Sequence, residues 1–414
     1  MNSLFQDPAP LDAQSLPKGY KFASGSCGIK RSGKPDVALI ASDAAAVAAA
    51  VFTTNRVQAA PVLVSRQHLG KSRGVARAII ANSGNANCAT GARGMTMARA
   101  TTAAVARELG CAEEQVLVCS TGVIGFPLET EKLTSAAPWL VRGRARTAEA
   151  YESVARAIMT TDARPKWSAA GCSLGGKEVR VLGCAKGAGM IHPQMATMLA
   201  FVVTDAALSR PLAARLLRQI AGRTFNSVTV DGDTSTNDTL ILLANGASGA
   251  PQTPGAGSDL VKFTRALESV CRHLALAIVS DGEGASRVAE IEVRGVVSDS
   301  IAAAIARTIA GSPLVKTAIA GADPNWGRIL AAAGRAPLPK GTAFDPARAE
   351  IRLAGITVCR RAQAHPFDEE AAHQKMLERH LTIVVDFKTG RGRATVWTCD
   401  FTEEYIRINS SYRS

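Results

Sequence analysis

A mixed α/β fold with largely antiparallel layers is what this 414-residue sequence predicts. Three observations carry the prediction. Short apolar runs bounded by Gly, Asn or Asp alternate with longer helical stretches in both halves of the chain. Hairpin signals lie near residues 175 and 390, and no internal repeat is visible.

Taken in order, residues 1–20 read as an irregular lead-in, and Val37 to Ser42 as a strand followed by the Ala-rich segment Asp43 to Phe52. Arg77 to Asn82 is a strand that runs into a polar Gly/Asn loop, residues 82–94, before the helix Met95–Leu109. Gln115 to Ser120 is a strand ending in Thr121-Gly122, and helices follow at Glu129–Arg142 and Thr147–Met159. Ala169 to Leu182 reads as a hairpin around Gly175-Gly176. In the central stretch, Lys186 to Asp205, Gly187, Gly189 and Pro193 break every regular period, and Met198 to Val203 forms a short buried strand. The helix Pro211–Arg223, the acidic loop 231–238 and the strand Thr239–Ala244 come next. Gly249–Ser258 reads as a flexible excursion before the long helix Asp259–Ile278. The last third reads as strands Glu290–Val297, Leu314–Ala320, Ala349–Leu353, Leu381–Asp386, Arg393–Thr398 and Tyr405–Ile408, with helices at 299–310 and Trp326–Ala333.

Composition narrows the function. Apolar content of 47% and charge of 20% are ordinary for a globular protein, while aromatics are scarce at 5%. The net charge of +13 comes from 48 Lys and Arg spread along the chain, with no run of five and no aromatic interleaving. That speaks against nucleic acid and leaves open a diffuse field for anionic or zwitterionic metabolites, or plain compositional bias. The nine cysteines form no CxxC pair, which points away from disulfides and structural zinc and toward a reducing compartment. The stretch MNSLFQDPAP lacks the apolar core of a signal peptide, and no apolar run nears the roughly 18 residues of a membrane span, so a cytoplasmic protein is expected.

Two tempting motifs fail. Residues 171–177 have the spacing of a phosphate-binding loop, but Glu178 stands where a metal-binding hydroxyl is needed. Asp231-Gly232-Asp233 opens like a calcium loop, yet Thr236 and Leu242 replace its turn glycine and its bidentate Glu. No HExxH is present, and no metal site is expected.

Four places carry polar residues where a core should be apolar, and each keeps two readings on the residues alone. Thr197, opening a buried strand beneath a tight loop, suits a nucleophile; it also suits a β-branched residue that merely starts a strand. Thr121-Gly122 can offer a hydroxyl and an N–H to one oxygen, or be an ordinary strand end. Asp281-Gly282-Glu283-Gly284 holds a site acid or closes a helix. Asp323 to Arg328 belongs to a site or caps a helix.

The stretch KGAGMIHPQMATML (186–199) closely resembles the self-processing motif of the ornithine acetyltransferases, the bifunctional glutamate N-acetyltransferases of arginine biosynthesis. The resemblance spans nearly the whole chain, through AAPVLVSR (59–66), NSGNANCATG (82–91), STGVIG (120–125), IMTTD (158–162) and VTVDGDTSTND (228–238). It continues in DGEG (281–284), LVKTAIAGADPNWGRI (314–329) and YIRINSSY (405–412).

The resemblance implies an α-β-β-α-like layered fold of the self-processing aminopeptidase kind, and a precursor that cuts itself between Ala196 and Thr197. The resulting chains, 1–196 and 197–414, stay interlocked in one catalytic unit, assembled as a heterotetramer of two of each. Thr197 would take the acetyl group from N-acetylornithine and pass it to glutamate, with acetyl-CoA as an open question for a co-substrate and no bound cofactor. Thr121 and Gly122 match the family's oxyanion hole. Thr161, in preference to Thr160, Lys186, Glu283, Asn409 and the terminal Ser414 match substrate-binding positions. The chain departs from the family at Gln194, Ala188, Ser286-Arg287 and Tyr412-Arg413-Ser414; of these, Ser286-Arg287 and the tail bear on substrate preference and on acetyl-CoA as a donor. Two rival functions use the same features: a threonine amidase or aminopeptidase with water as acceptor, and a binding protein in which Ala196-Thr197 is never cut.

Overall fold

The computed structural model describes residues 7–192 and 198–411. Up to residue 186 the chain forms β1 (Tyr20–Gly25), β2 (Val37–Phe52), α1 (Ala60–Lys71), β3 (Val75–Asn85), α2 (Gly91–Leu109) and β4 (Val116–Val123). Then come α3 (Thr130–Thr134), α4 (Ala136–Gly143), α5 (Ala148–Ala157), β5 (Lys166–Leu174) and β6 (Lys177–Lys186). The middle contains β7 (Leu199–Thr204), α6 (Arg210–Arg223), β8 (Val228–Thr229), β9 (Thr239–Ala244) and α7 (Ser258–Ser280). The last part contains β10 (Val288–Val296), α8 (Asp299–Ala310), α9 (Pro313–Ala320), α10 (Trp326–Gly334), β11 (Glu350–Leu353), β12 (Ile356–Arg360) and β13 (Gln363–Ala364). It closes with α11 (Glu369–Met376), β14 (His380–Asp386), β15 (Gly392–Cys399) and α12 (Glu403–Ser411).

Two mixed, largely antiparallel sheets result, as the sequence predicts. The first runs β4-β3-β2-β9-β7-β6-β5, with β1 also on β2; the second runs β13-β12-β11-β14-β10-β15-β8. The strands β7 and β9, parallel to each other, sit between β6 and β2 and are buried at every position. Their continuous apolar sequence fits strands covered on both faces. One face packs Leu199, Phe201 and Val203 against α5; the other packs Ala200 and Val202 against α6 and α7. Burial stabilises by roughly 1.5–3 kcal/mol for each large side chain. A third cluster joins β10, β11 and β14 to α8, α9 and α10.

The hairpin at 175 is present. Leu174 pairs with Lys177, and Gly175 and Gly176 take φ of +54° and +76°, the pair of positive angles a two-residue hairpin needs. The turn near 390 is different. It reverses the chain, but β10 lies between β14 and β15, parallel to one and antiparallel to the other, so no hairpin forms.

Other expectations are corrected. Leu314–Ala320 is helix α9, because Pro313 starts a first turn and the buried Val315, Ala318 and Ile319 recur at helical spacing. Tyr405–Ile408 lies inside helix α12, whose half-buried face is Glu404, Tyr405 and Ile408. The helix expected over Glu129–Arg142 is two helices meeting at Ser135. The Ala-rich segment 43–52 continues β2, since Val47–Phe52 pairs with β9; pairing overrides the helical leaning of alanine. The excursion at 249–258 is tied down by the Thr253 N–H to Ala207 O bond and by Pro251 beneath Gly175.

Candidate active site

The C-terminal ends of the adjacent strands β3 and β4, together with the end of β6 farther along the same sheet, set the floor of a cleft of about 160 Å³. Strands β3 and β4 run parallel, placing Gly84 opposite Gly122 and Ser83 opposite Thr121. Gly122 has φ of +129°, and a Cβ there would stand 2.5 Å from Asn85 N, so only glycine lets these backbones meet. The polar loop after β3 is scaffolding: Asn82 accepts from the Ser120 hydroxyl at 2.6 Å, and Asn237 donates to Ala86 O and Ser120 O at 2.6 and 2.9 Å.

Lys186 ends β6 and is buried; its ammonium donates to Thr121 Oγ1 at 3.1 Å. Thr121 therefore accepts from lysine and keeps its own hydroxyl hydrogen for a group in the cleft. Burial lowers the Lys186 pKa, against the pull of Asp162, Asp238 and Glu283. Behind it runs a buried chain of charge. Lys166 bridges Asp162 at 2.7 Å and Asp281 at 2.6 Å, and Asp162 also accepts from Gly187 N at 2.6 Å. Burial works to raise the Asp162 pKa, but Lys166 and Lys186 outweigh it and hold the carboxyl below its ordinary value.

The two acids of DGEG separate by role. Asp281 is consumed internally, accepting from Lys166, the Arg164 side chain at 3.2 Å, and the N–H groups of Ala163 and Arg164. Glu283 lines the cleft. Its N–H bonds Ala188 O at 2.9 Å, and its carboxylate accepts from Asn409 Nδ2 at 2.7 Å. Two glycines make room. A Cβ on Gly189 would stand 2.6 Å from Glu283 Oε1, and one on Gly284 would stand 2.6 Å from Tyr405 N on α12. Helix α12 is thereby seated over the site and delivers Asn409 and Tyr405.

Thr121, Gly122, Thr161, Lys186, Glu283 and Asn409 thus line one cleft, and Thr160 lines it beside Thr161. Ala196, Thr197 and Ser414 lie outside the described residues. The residue after Thr197 is held firmly: Met198 N donates to Asp238 Oδ1 at 2.8 Å, and Met198 O accepts from Thr239 N at 3.0 Å. Asp238 is fully buried, its other oxygen has no partner among the described residues, and burial pushes its pKa well up. Asp323 and Asn325 lie elsewhere, in the turn between α9 and α10, where Asn325 caps α10 by accepting from Arg328 N at 3.1 Å. There the capping reading holds.

Sequence reasoning missed Asp231, Asp238, Tyr405 and the Asp162–Lys166–Asp281 chain. Asp231 accepts from the N–H groups of Met190 and Ile191, fixing the Gly-rich turn, and burial raises its pKa to about 6. The available signal was position: Asp162, Asp231 and Asp238 each sit in a stretch where the resemblance was quoted. Among the described residues, no group of His, Cys, Asp and Glu is arranged to hold a metal ion.

Comparison with known proteins bears on what this cleft does. The model of the ArgJ family matches residues 21–414. An arginine biosynthesis bifunctional protein ArgJ from Thermosynechococcus vestitus is 47% identical over 410 residues, covering 95% of this chain and 96% of that relative. A protein of the same description from Geobacter sulfurreducens is 46% identical over 398 residues, covering 96% of this chain and 99% of that relative. A crystal structure of the arginine biosynthesis bifunctional protein ArgJ from Bacillus halodurans is 38% identical, covers 51% of this chain and 98% of that one, and has a TM-score of 0.49.

Proposed function

Because this chain belongs to the ArgJ family, we propose that it transfers an acetyl group from N-acetylornithine to glutamate through an acetyl-Thr197 intermediate. The observation that carries the reading is the convergence of Thr121 paired to Lys186, Gly122, and Glu283 paired to Asn409 on one cleft.

The chemistry begins with self-cleavage. The Thr197 hydroxyl attacks the Ala196 carbonyl, the acyl group shifts from nitrogen to oxygen, and water releases the ester, leaving a free α-amine on Thr197. With a pKa of about 8, that amine is suited to take the proton of its own hydroxyl near neutral pH. In the transfer reaction the hydroxyl attacks the acetyl carbonyl of N-acetylornithine. The Thr121 hydroxyl and the Gly122 N–H donate to the oxyanion, and the pair is rigid because Lys186 anchors Thr121 and the β3–β4 contact anchors Gly122. The proton then passes to the departing nitrogen as the C–N bond breaks. Glu283, oriented by Asn409, takes the cationic end of ornithine, and Thr161 lines the same wall. The glutamate amine attacks the acetyl ester and restores Thr197. Ser414 is assigned to substrate contact on the motif alone.

The sheet order supports two chains that stay together after the cut. Strands β7 and β9 of 197–414 lie between β2 and β6 of 1–196 and hydrogen-bond to both. Assembly as two copies of each chain, in the cytoplasm, completes the proposal; no helix among the described residues is long and apolar enough to cross a membrane. Acetyl-CoA is a second donor for the same acyl-enzyme.

The test is a product assay with N-acetylornithine and glutamate. N-acetylglutamate formed in step with ornithine supports transfer. Free acetate in its place would make the protein a hydrolase.

A further inference from the structure

Behind the oxyanion donors, Lys186, Lys166, Asp162 and Asp281 are all buried. They come from four places in the fold: the end of β6, the start of β5, the turn after α5 and the residue after α7. Taking charges out of water is costly, and apolar residues of similar volume often serve a fold as well. A role in the chemistry accounts for keeping them.

At its near end the chain meets Thr121. A threonine hydroxyl has one hydrogen to give, whereas an ammonium has three donors and no acceptor. While Lys186 is charged, its 3.1 Å bond to Thr121 Oγ1 runs from nitrogen to oxygen, and the Thr121 hydrogen is left to the cleft. A neutral amine carries a lone pair and accepts well. The Thr121 hydrogen then turns to Lys186, and an oxyanion in the cleft loses one of its two donors. The direction of this one bond follows the charge of Lys186, and burial works against that charge.

Among the described residues, Asp162, Lys166, Asp238, Glu283 and Lys30 set the field at Lys186. Lys30 and Lys166 repel it. Burial pushes the Asp238 carboxyl toward its neutral form, and Glu283 is engaged by Asn409 at the substrate end. Asp162 is the carboxylate that remains. It is fixed by the N–H of Thr160 at 2.9 Å and by that of Gly187, the neighbour of Lys186, at 2.6 Å. Lys166 helps to keep it ionised without using it up, because Lys166 divides its charge between Asp162 at 2.7 Å and Asp281 at 2.6 Å.

We propose that Asp162 and Lys166 are positioning residues for the oxyanion donor: with opposite sign they set the charge of Lys186, and so decide whether the Thr121 hydrogen faces the cleft. The inference rests on the acyl-transfer reading above.

The experiment measures kcat against pH for the full self-processed enzyme with N-acetylornithine and glutamate. In wild type the rate should rise as the Thr197 amine loses its proton and fall at higher pH as Lys186 loses its own. Removing a neighbouring charge moves such a midpoint by about 1 pH unit or more. Asp162→Asn should therefore bring the falling limb to lower pH, and Lys166→Met, which removes a repelling cation, should carry it to higher pH. The rising limb should stay in place in both. In Thr121→Ala the falling limb should flatten, since the hydrogen that Lys186 directs is gone. Shifts of the same sign in the two charge variants, or an equal loss of rate at every pH, would reduce the chain to a structural prop and overturn the proposal. A falling limb that survives in Thr121→Ala would also overturn it, by placing the effect of Lys186 on the substrate. Where one charge variant does not fold, the other and the Thr121→Ala profile decide. A wild type that makes no N-acetylglutamate at any pH would instead sink the function on which the inference rests.

Discussion

Gly189→Ala offers a sharp test of the substrate-binding geometry. The added methyl would stand 2.6 Å from Glu283 Oε1, closer than carbon atoms tolerate, so one partner must move. The partner is the free end of a flexible side chain, so the carboxylate can swing away at little cost to folding. That motion breaks the 2.7 Å bond from Asn409 and takes the charge from where ornithine's ammonium would meet it. A hydrogen bond to a charged group contributes about 1.5–3 kcal/mol, which corresponds to a roughly 10- to 150-fold change in KM. Steady-state kinetics with N-acetylornithine, on enzyme shown by gel to be fully cleaved, should find that rise together with a near-native Tm. An unchanged KM would remove Glu283 from substrate recognition. A collapse of Tm would show that Gly189 serves packing.

Three further outcomes follow from the same geometry. Thr121→Ala should keep the fold and cost about 2–4 kcal/mol of transition-state stabilisation, read as a fall in kcat/KM; a near-normal rate would mean that Gly122 and another donor suffice. Gly122→Ala sets its methyl 2.5 Å from the Asn85 backbone, which cannot step aside, at a φ of +129° that alanine resists. Stability should fall by about 3 kcal/mol or more, seen as a lower denaturation midpoint, and a wild-type midpoint would contradict the β3–β4 contact. Asp231 has a folded pKa of about 6, above its ordinary value, so its protonated form is the one the fold prefers. Its contribution to stability is present below about pH 4 and is lost as pH rises to about 6; in Asp231→Asn that part of the stability–pH slope should vanish.

How much of this was legible in the sequence depended on the kind of signal. The strands β7 and β9 and the 175 hairpin announce themselves, because unbroken apolar runs and a Gly-Gly pair allow few alternatives. Helix α1 does not: Pro61 suits its first turn, but the β-branched Val62 and Val64 weaken the helical signal, and Ser65 and His68 anchor it by bonding Val118 O and Val116 O on β4. Tyr405–Ile408 looks like a strand, yet Gly284 seats it as a helix over the cleft. In the site, Thr121, Gly122 and Glu283 stood out as polar residues beside glycines. Asp162, Lys166 and Asp281 looked unrelated, since one partner is over a hundred positions away and only the fold joins them.

The most direct test of the central claim is a denaturing intact-mass measurement of the protein incubated with N-acetylornithine, before and after glutamate is added. The account predicts two chains, 1–196 and 197–414, the second carrying one acetyl group that disappears as N-acetylglutamate forms. A single uncut chain, or a second chain that never carries acetyl, would contradict it.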